Sequence, residues 1–266
     1  MADPIVARIE REAGVEGLAK ILGERLAPTD LRSLLLEVVR RRAARARPAD
    51  VLRRYAEDRM CRPATTGAER LDEVERAALS LLPPGFERLE LSPVAPLGTS
   101  AVLGRIPQDW AVATTRLTEV VSDSTNVLAL ECALRRRRDR RAEVRLCASQ
   151  RLLRAQPFEP PFLRHFRLLG LCSAGRAGAE ETLLDEQLGF YVRVLERFGP
   201  VEVDREPRKQ AYYGGATFGV AVAGRELVEG GFVDWTQRLL GDRKERLLIS
   251  GIGLDLLATI EPSTRR

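Results

Sequence analysis

Apolar residues recur at helical spacing through the first sixty positions and give way to alternation further on, so helices are expected first and a sheet after them. Asp3-Pro4 starts a helix with proline in its first turn, and Ile5 and Ile9 lie four apart on one face. Pro28-Thr29-Asp30 opens a second helix, whose stripe of Leu31, Leu34, Leu35 and Val38 ends at Arg40-Arg41-Arg42. Pro48-Ala49-Asp50 begins a third, containing Val51, Leu52 and Tyr55. Together these read as an N-terminal helical region over residues 1–62, serving as a cap, a dimerisation arm or a partner-docking bundle. Pro63 and the two threonines between Cys61 and Gly67 mark a boundary, with a second region expected over 66–262.

Past that boundary a helix turns Leu71, Val74, Ala78, Leu81 and Leu82 inward and is halted by Pro83-Pro84-Gly85. Phe86 to Leu91 alternates as a half-buried strand does and ends at Ser92-Pro93. Trp110 to Val121 reads as a strand carrying Arg116 and Glu119, which would pair if exposed. Ser122 to Asn126 offers N-cap candidates for a helix over Val127 to Arg137. Val144 to Phe158 and His165 to Ala174 are strand-like runs joined by a proline-rich turn, which makes a long hairpin.

Composition narrows the class. The 266 residues are 44% hydrophobic and 30% charged, enough to bury a sizeable core. No run of about 18 apolar residues spans a bilayer, and Met1-Ala2-Asp3-Pro4 lacks the basic and apolar parts of a signal peptide. A cytoplasmic protein without membrane association is expected. Cys61, Cys132, Cys147 and Cys172 form no Cys-x-x-Cys pair, and His165 is the single histidine, so reduced, mostly buried thiols and no structural metal are expected.

The net charge is +5, and only Lys20, Lys209 and Lys244 among the 43 basic residues are lysines. Arg40 to Arg42 with Arg45 and Arg47 form one basic cluster, and Arg135 to Arg138 with Arg140 and Arg141 form another. Both end amphipathic helices, where cations complement the helix dipole and face water; contact with RNA is the other reading.

Three glycine-punctuated stretches occupy the last quarter in order: Tyr212-Tyr213-Gly214-Gly215-Ala216-Thr217-Phe218, Glu229-Gly230-Gly231-Phe232-Val233-Asp234, and Gly251-Ile252-Gly253-Leu254-Asp255-Leu256-Leu257. With the helix, Pro-Gly turn and strand ending at Pro93, and with the hairpin bearing Arg154-Ala155-Gln156, the chain resembles a class II aminoacyl-tRNA synthetase catalytic domain, most closely the histidyl type. The resemblance implies an α+β fold, an antiparallel sheet flanked by helices, and a homodimer formed through the segment that ends at Pro93. It also implies ATP, with Mg carried in by the nucleotide, and a small amino acid or carboxylate as ligand.

On that resemblance Arg154 is the catalytic candidate, because a guanidinium can hold both the attacking carboxylate and the α-phosphate. Gln156, Arg164 and His165 join it at the nucleotide. Glu119 would grip the substrate ammonium with Arg116 on the same strand, while Arg208, Tyr212 and Tyr213 shape the pocket. Three departures stand out: Gln156 replaces a glutamate, Gly219 replaces another, and Leu256 replaces the arginine that binds ATP. The emptied pocket positions argue against histidine as substrate. Only six residues follow Ile260, so no anticodon-binding domain, and no ordinary tRNA charging, is expected.

Two functions follow. One is a divergent, non-translational synthetase paralogue that binds ATP, a small amino acid or both, and forms an acyl adenylate. The other is a non-catalytic regulatory or assembly subunit, as in the synthetase-like regulatory subunit of ATP phosphoribosyltransferase, that uses the same dimer to bind a protein partner or RNA.

Overall fold

The computed structural model describes residues 3–156, 164–206 and 212–263. They fall into two compact units, Met1–Glu57 with Ala113–Thr118, and Asp58–Val112 with Glu119–Arg266. No helix among the described residues is long and apolar enough to cross a membrane.

The first unit contains α1 (Pro4–Ala13), α2 (Leu18–Lys20) running into a π-helical turn (Ile21–Arg25), α3 (Pro28–Ala43) and α4 (Pro48–Glu57). All three proline starts fall where the sequence places them, since the missing proline N–H is an orphan at a helix start anyway. Asp3 accepts from the Ile5 amide at 2.8 Å, and Gly14, with φ of 66°, closes α1 in the left-handed conformation that glycine adopts cheaply. The arginines of the first cluster make local pairs: Arg40 and Arg41 with Glu37 at 2.5 and 2.7 Å, and Arg47 with Asp50 at 2.8 Å.

The second unit is built on a sheet. In chain order it adds α5 (Ala68–Leu79), β1 (Glu87–Arg88), β2 (Val94–Pro96), α6 (Thr99–Gly104), β3 (Thr118–Val120), α7 (Ser124–Arg138), β4 (Val144–Leu153), β5 (His165–Arg176) and α8 (Glu180–Leu195). Then come β6 (Val201–Asp204), β7 (Tyr213–Val222), β8 (Arg225–Val233), α9 (Trp235–Leu240), β9 (Glu245–Gly253) and α10 (Leu254–Leu257). The main sheet has the order β1-β4-β5-β9-β8-β7-β6, antiparallel throughout except for the parallel β1–β4 pair. This is the mixed α+β architecture expected from the sequence.

Strand alternation sorts the core into two layers. Cys147, Leu169, Leu171, Val220, Leu248 and Ile252 face α5, α8 and α10. Leu146, Ala148, Cys172, Ala174, Leu247 and Ile249 face α6, α7 and α9. Helix α8 went unread in the sequence, yet it buries Leu183, Leu184, Leu188, Phe190, Tyr191, Val194 and Leu195. Gly170 on β5 lets α7 sit close, because a Cβ there would lie 2.7 Å from Ser124 Oγ.

Two expectations are corrected. Trp110 to Val121 is not one strand. Thr114 and Thr118 close a turn through a 2.8 Å backbone bond and a 2.7 Å hydroxyl bond, Leu117 takes a φ of 57°, and only Thr118–Val120 is strand. The second arginine cluster is not wholly solvated either. Arg136 is fully buried, makes two parallel 2.9 Å bonds to the equally buried Glu245 carboxylate, and donates to the Ala142 carbonyl. Arg135 pairs with Glu87 at 2.6 Å, while Arg137 and Arg138 stay exposed. Of the thiols, Cys132, Cys147 and Cys172 are buried and Cys61 is exposed; all four are free.

Removing one member of a buried ion pair leaves the other charge without compensation, so Glu245→Ala is expected to destabilise the protein by about 3 to 5 kcal/mol. Chemical denaturation of Glu245→Ala beside Arg138→Ala checks this. The exposed Arg138 should change stability by less than about 0.5 kcal/mol.

Candidate ligand site

Two cavities meet at Asp123, Arg154 and Tyr212 in the second unit. The first, of about 280 Å³, is also lined by Phe166, Leu168, Tyr213, Glu226, Glu229 and Ser250. The second, of about 360 Å³, is lined by Arg105, Ile106, Pro107, Trp110, Asn126, Gln156 and Trp235.

Arg154 follows the last residue of β4, and strand alternation turns it toward α7 with Leu152. Its guanidinium lies over the Phe166 ring, 4.9 Å from the centroid, and its Nε donates to the Ser122 carbonyl at 2.8 Å. Its Nη2 stands 3.6 Å from Asp123 Oδ2. The other Asp123 oxygen caps α7, accepting from the Thr125 amide at 2.9 Å and the Thr125 hydroxyl at 2.7 Å. Scaffold bonds thus hold one edge of each charged group, and the remaining edges face the cavities.

The tyrosine rings stand 4.4 Å apart, and Tyr212 lies 6.3 Å from Trp235. Burial raises the Tyr212 phenol, partly opposed by its hydrogen bond to Tyr213, and the Glu229 and Asp123 carboxylates raise it further, to about 12. Burial also pushes Tyr213 well above its ordinary value. Both phenols are therefore neutral near neutral pH, and one of the two hydroxyl protons is held between the rings.

Glu119 occupies a different place from the one the sequence suggests. It is 1% exposed and lines neither cavity. Its carboxylate accepts from the Gly98 amide at 2.8 Å, the Ser100 amide at 2.8 Å and Gln108 Nε2 at 2.9 Å, which organises the 98–108 segment. Arg116 is exposed in the 113–118 turn, and its amide donates to Thr114 Oγ1 at 3.1 Å. Asp123, which sequence reasoning treated only as an N-cap candidate, is the acidic group that meets Arg154. Its single readable signal is its position directly before Ser124-Thr125 at the start of α7.

His165 and Arg154 are on opposite faces of the hairpin. His165 pairs with Leu153, which alternation turns away from α7. Its Nε2 donates to the Arg62 carbonyl at 2.6 Å, so Nδ1 is the acceptor for Arg151 Nη1 at 3.0 Å. Arg164 donates to the Ala155 carbonyl at 2.9 Å and accepts the Arg154 amide on its own carbonyl at 2.8 Å, closing the hairpin base. Gln156 lines the second cavity. Arg208 lies outside the described residues.

At the third glycine signature, Leu256 packs against the core on the α5 side of the sheet. Asp255 accepts from the Arg167 amide at 2.6 Å and lies 3.5 Å from Arg151. Gly219 is paired directly with Glu229 across β7 and β8, so a carboxylate reaches the first cavity from the strand next to the one where the resemblance places it.

An ATP phosphoribosyltransferase regulatory subunit/histidyl-tRNA synthetase from Bacillus halodurans superposes with a TM-score of 0.61 at 13% identity, covering 74% of this chain and 82% of that one. Pyrrolysyl-tRNA synthetase from Desulfitobacterium hafniense gives a TM-score of 0.57 at 15% identity, over 97% of this chain and 81% of its own. The fold is that of a class II aminoacyl-tRNA synthetase catalytic domain. A second pyrrolysyl-tRNA synthetase structure from Desulfitobacterium hafniense agrees, with a TM-score of 0.56 at 16% identity over 86% and 75% of the two chains. No family model and no curated protein matches the sequence. Within this synthetase-like fold, the Arg154 hairpin, the α7 N-terminus and the Tyr212-Tyr213 strand start converge on one place.

Burial raises the Glu119 carboxyl, but the Gln108, Ser100 and Gly98 donors outweigh burial and hold it below the usual carboxylate range. A folded value below the unfolded one means that the stabilisation is complete above the unfolded value and is lost as pH falls through the folded value. Glu119→Gln turns an amide N–H toward backbone donors and is expected to cost about 1 to 3 kcal/mol at neutral pH. Denaturation curves of both proteins along a descending pH series should converge in acid.

Proposed function

We propose that this protein binds a small amino acid, with the ligand ammonium on Asp123 and the ligand carboxylate on Arg154. The observation that carries this is the 3.6 Å Asp123–Arg154 pair at the junction of the two cavities. A loose, partly exposed ion pair contributes little stability. A zwitterion inserted between the two groups replaces it with two charge-assisted hydrogen bonds. The neutral phenol of Tyr212 adds a donor beside the ligand, while the Tyr213 hydroxyl donates to Tyr212.

The described lining of the first cavity carries both signs of charge. Its charged groups are Asp123, Glu226 and Glu229 against the single guanidinium of Arg154. Leu256 adds no positive charge, being packed into the core. Leu256 stands where the resemblance places an ATP-binding arginine, which favours the non-catalytic reading: a synthetase-like protein whose pocket binds an amino acid as an effector. The same reading takes the protein as a cytoplasmic homodimer acting on a protein partner, with a helical region over 1–62 and the synthetase-like core over 66–262.

Asp123→Asn keeps an N-cap oxygen and removes the charge. It and Arg154→Ala should each weaken amino-acid binding roughly 10- to 100-fold in calorimetric titrations, the range of a hydrogen bond to a charged group. In parallel, ATP-pyrophosphate exchange with the same amino acids should stay at background. Exchange above background that disappears in Arg154→Ala would overturn the effector reading in favour of an adenylating enzyme.

A further inference from the structure

The second cavity holds two donors that the fold leaves unused. Asn126 and Trp235 are each 2% exposed, and Asn126 Nδ2 and Trp235 Nε1 have no hydrogen-bond partner among the described residues. Both residues line this cavity. A buried donor without an acceptor forfeits its hydration with no return, which makes such groups rare in native proteins outside binding sites. An indole N–H can only donate, so the group that completes Trp235 must be an acceptor.

The rest of the cavity limits what carries that acceptor. Its walls are apolar or aromatic at Ile106, Pro107, Trp110 and Tyr212. Its charges are matched within the protein, Arg105 facing Asp234 at 3.4 Å and Arg154 facing Asp123. A charged side chain would find no opposite charge beyond the clamp. A volume of about 360 Å³ accommodates a substituted ring.

Resting on the amino-acid reading above, we propose that the second cavity takes the ligand's side chain, a neutral apolar or aromatic group that carries a hydrogen-bond acceptor such as a carbonyl. The Asp123–Arg154 clamp then holds the α-carbon end at the cavity mouth, while Trp235 and Asn126 read the acceptor from inside. The first cavity is left to the ammonium side of the clamp.

The chain has two tryptophans, Trp110 and Trp235, and both line this cavity, so selectively excited tryptophan emission reports its occupancy directly. The probes are phenylalanine, para-acetylphenylalanine, and para-methylacetophenone, which keeps the carbonyl and lacks the zwitterion. Expected are a shift in emission and roughly tenfold tighter binding of para-acetylphenylalanine than of phenylalanine, the worth of one well-made hydrogen bond. Trp235→Phe should bring the affinity for para-acetylphenylalanine down to that for phenylalanine, and Asn126→Leu should reduce the preference independently. Equal affinities of the two amino acids for the unaltered protein would overturn the side-chain assignment and leave the clamp standing. Binding of para-methylacetophenone as tight as that of para-acetylphenylalanine would support the cavity and overturn the clamp. Unchanged emission with all three probes would overturn both.

Discussion

The position of α7 depends on one buried ion pair. Arg136, near the C-terminal end of the helix, meets Glu245 at the start of β9, and neither side chain is exposed. Two fully desolvated charges tolerate little displacement, because their attraction offsets their lost hydration only while both hydrogen bonds are well formed. The pair therefore acts as a register pin between helix and sheet. At the opposite end, Asp123 caps the helix through Thr125, and Gly170 beneath Ser124 allows close approach. A helix fixed at both ends presents Asp123 and Asn126 in a set place, and these are the α7 side chains that face the second cavity.

The loop that walls this cavity is held by similar means. Glu119 binds the amides of Gly98 and Ser100, and Arg238 on α9 donates to the Val102 and Leu103 carbonyls at 2.6 and 2.8 Å. A carboxylate satisfies the orphan N–H groups at the start of α6, and a guanidinium satisfies carbonyls at its end. A six-residue helix has little stability of its own. These contacts explain how it keeps a shape that ends in Arg105 at a φ of 54°.

Much of the architecture was legible because its signals are local. Proline at a helix start, a Pro-Pro-Gly stop and a strand pair around a proline-rich turn each act within a few residues, and the three glycine signatures kept their order. What escaped depends on parity and on distant partners. Arg164 and His165 are adjacent in sequence, yet strand alternation sends such neighbours to opposite faces, so only one face of the hairpin can serve the site. Nothing near Arg136 distinguishes it from Arg135 or Arg137; its burial is decided by Glu245, 109 positions away. Glu119 and Asp123 are both acidic residues near the start of α7, and which one faces the cavity depends on the amides of a loop some twenty residues earlier.

The two cavities differ in a way that, on the amino-acid reading proposed above, orients the ligand between them. On one side of the Asp123–Arg154 pair the described lining is rich in carboxylates, and on the other it is aromatic with unused donors. A symmetric anion has no favourable direction in such a field. On the amino-acid reading proposed above, a molecule with an ammonium group at one end and an acceptor-bearing body at the other has a single one, because reversing it sets the cation against the indole N–H of Trp235. Like-charge or donor-donor contact at either end costs more than the loss of the corresponding attraction, so discrimination arises from the penalised orientation as much as from the favoured one. Glu229 lies directly across from Gly219 on β7 and β8, so the carboxylate at this end of the site comes from position 229. Placing a carboxylate at either of these paired positions would leave the scaffold intact, since they keep the same backbone hydrogen bonds whichever of them carries the side chain.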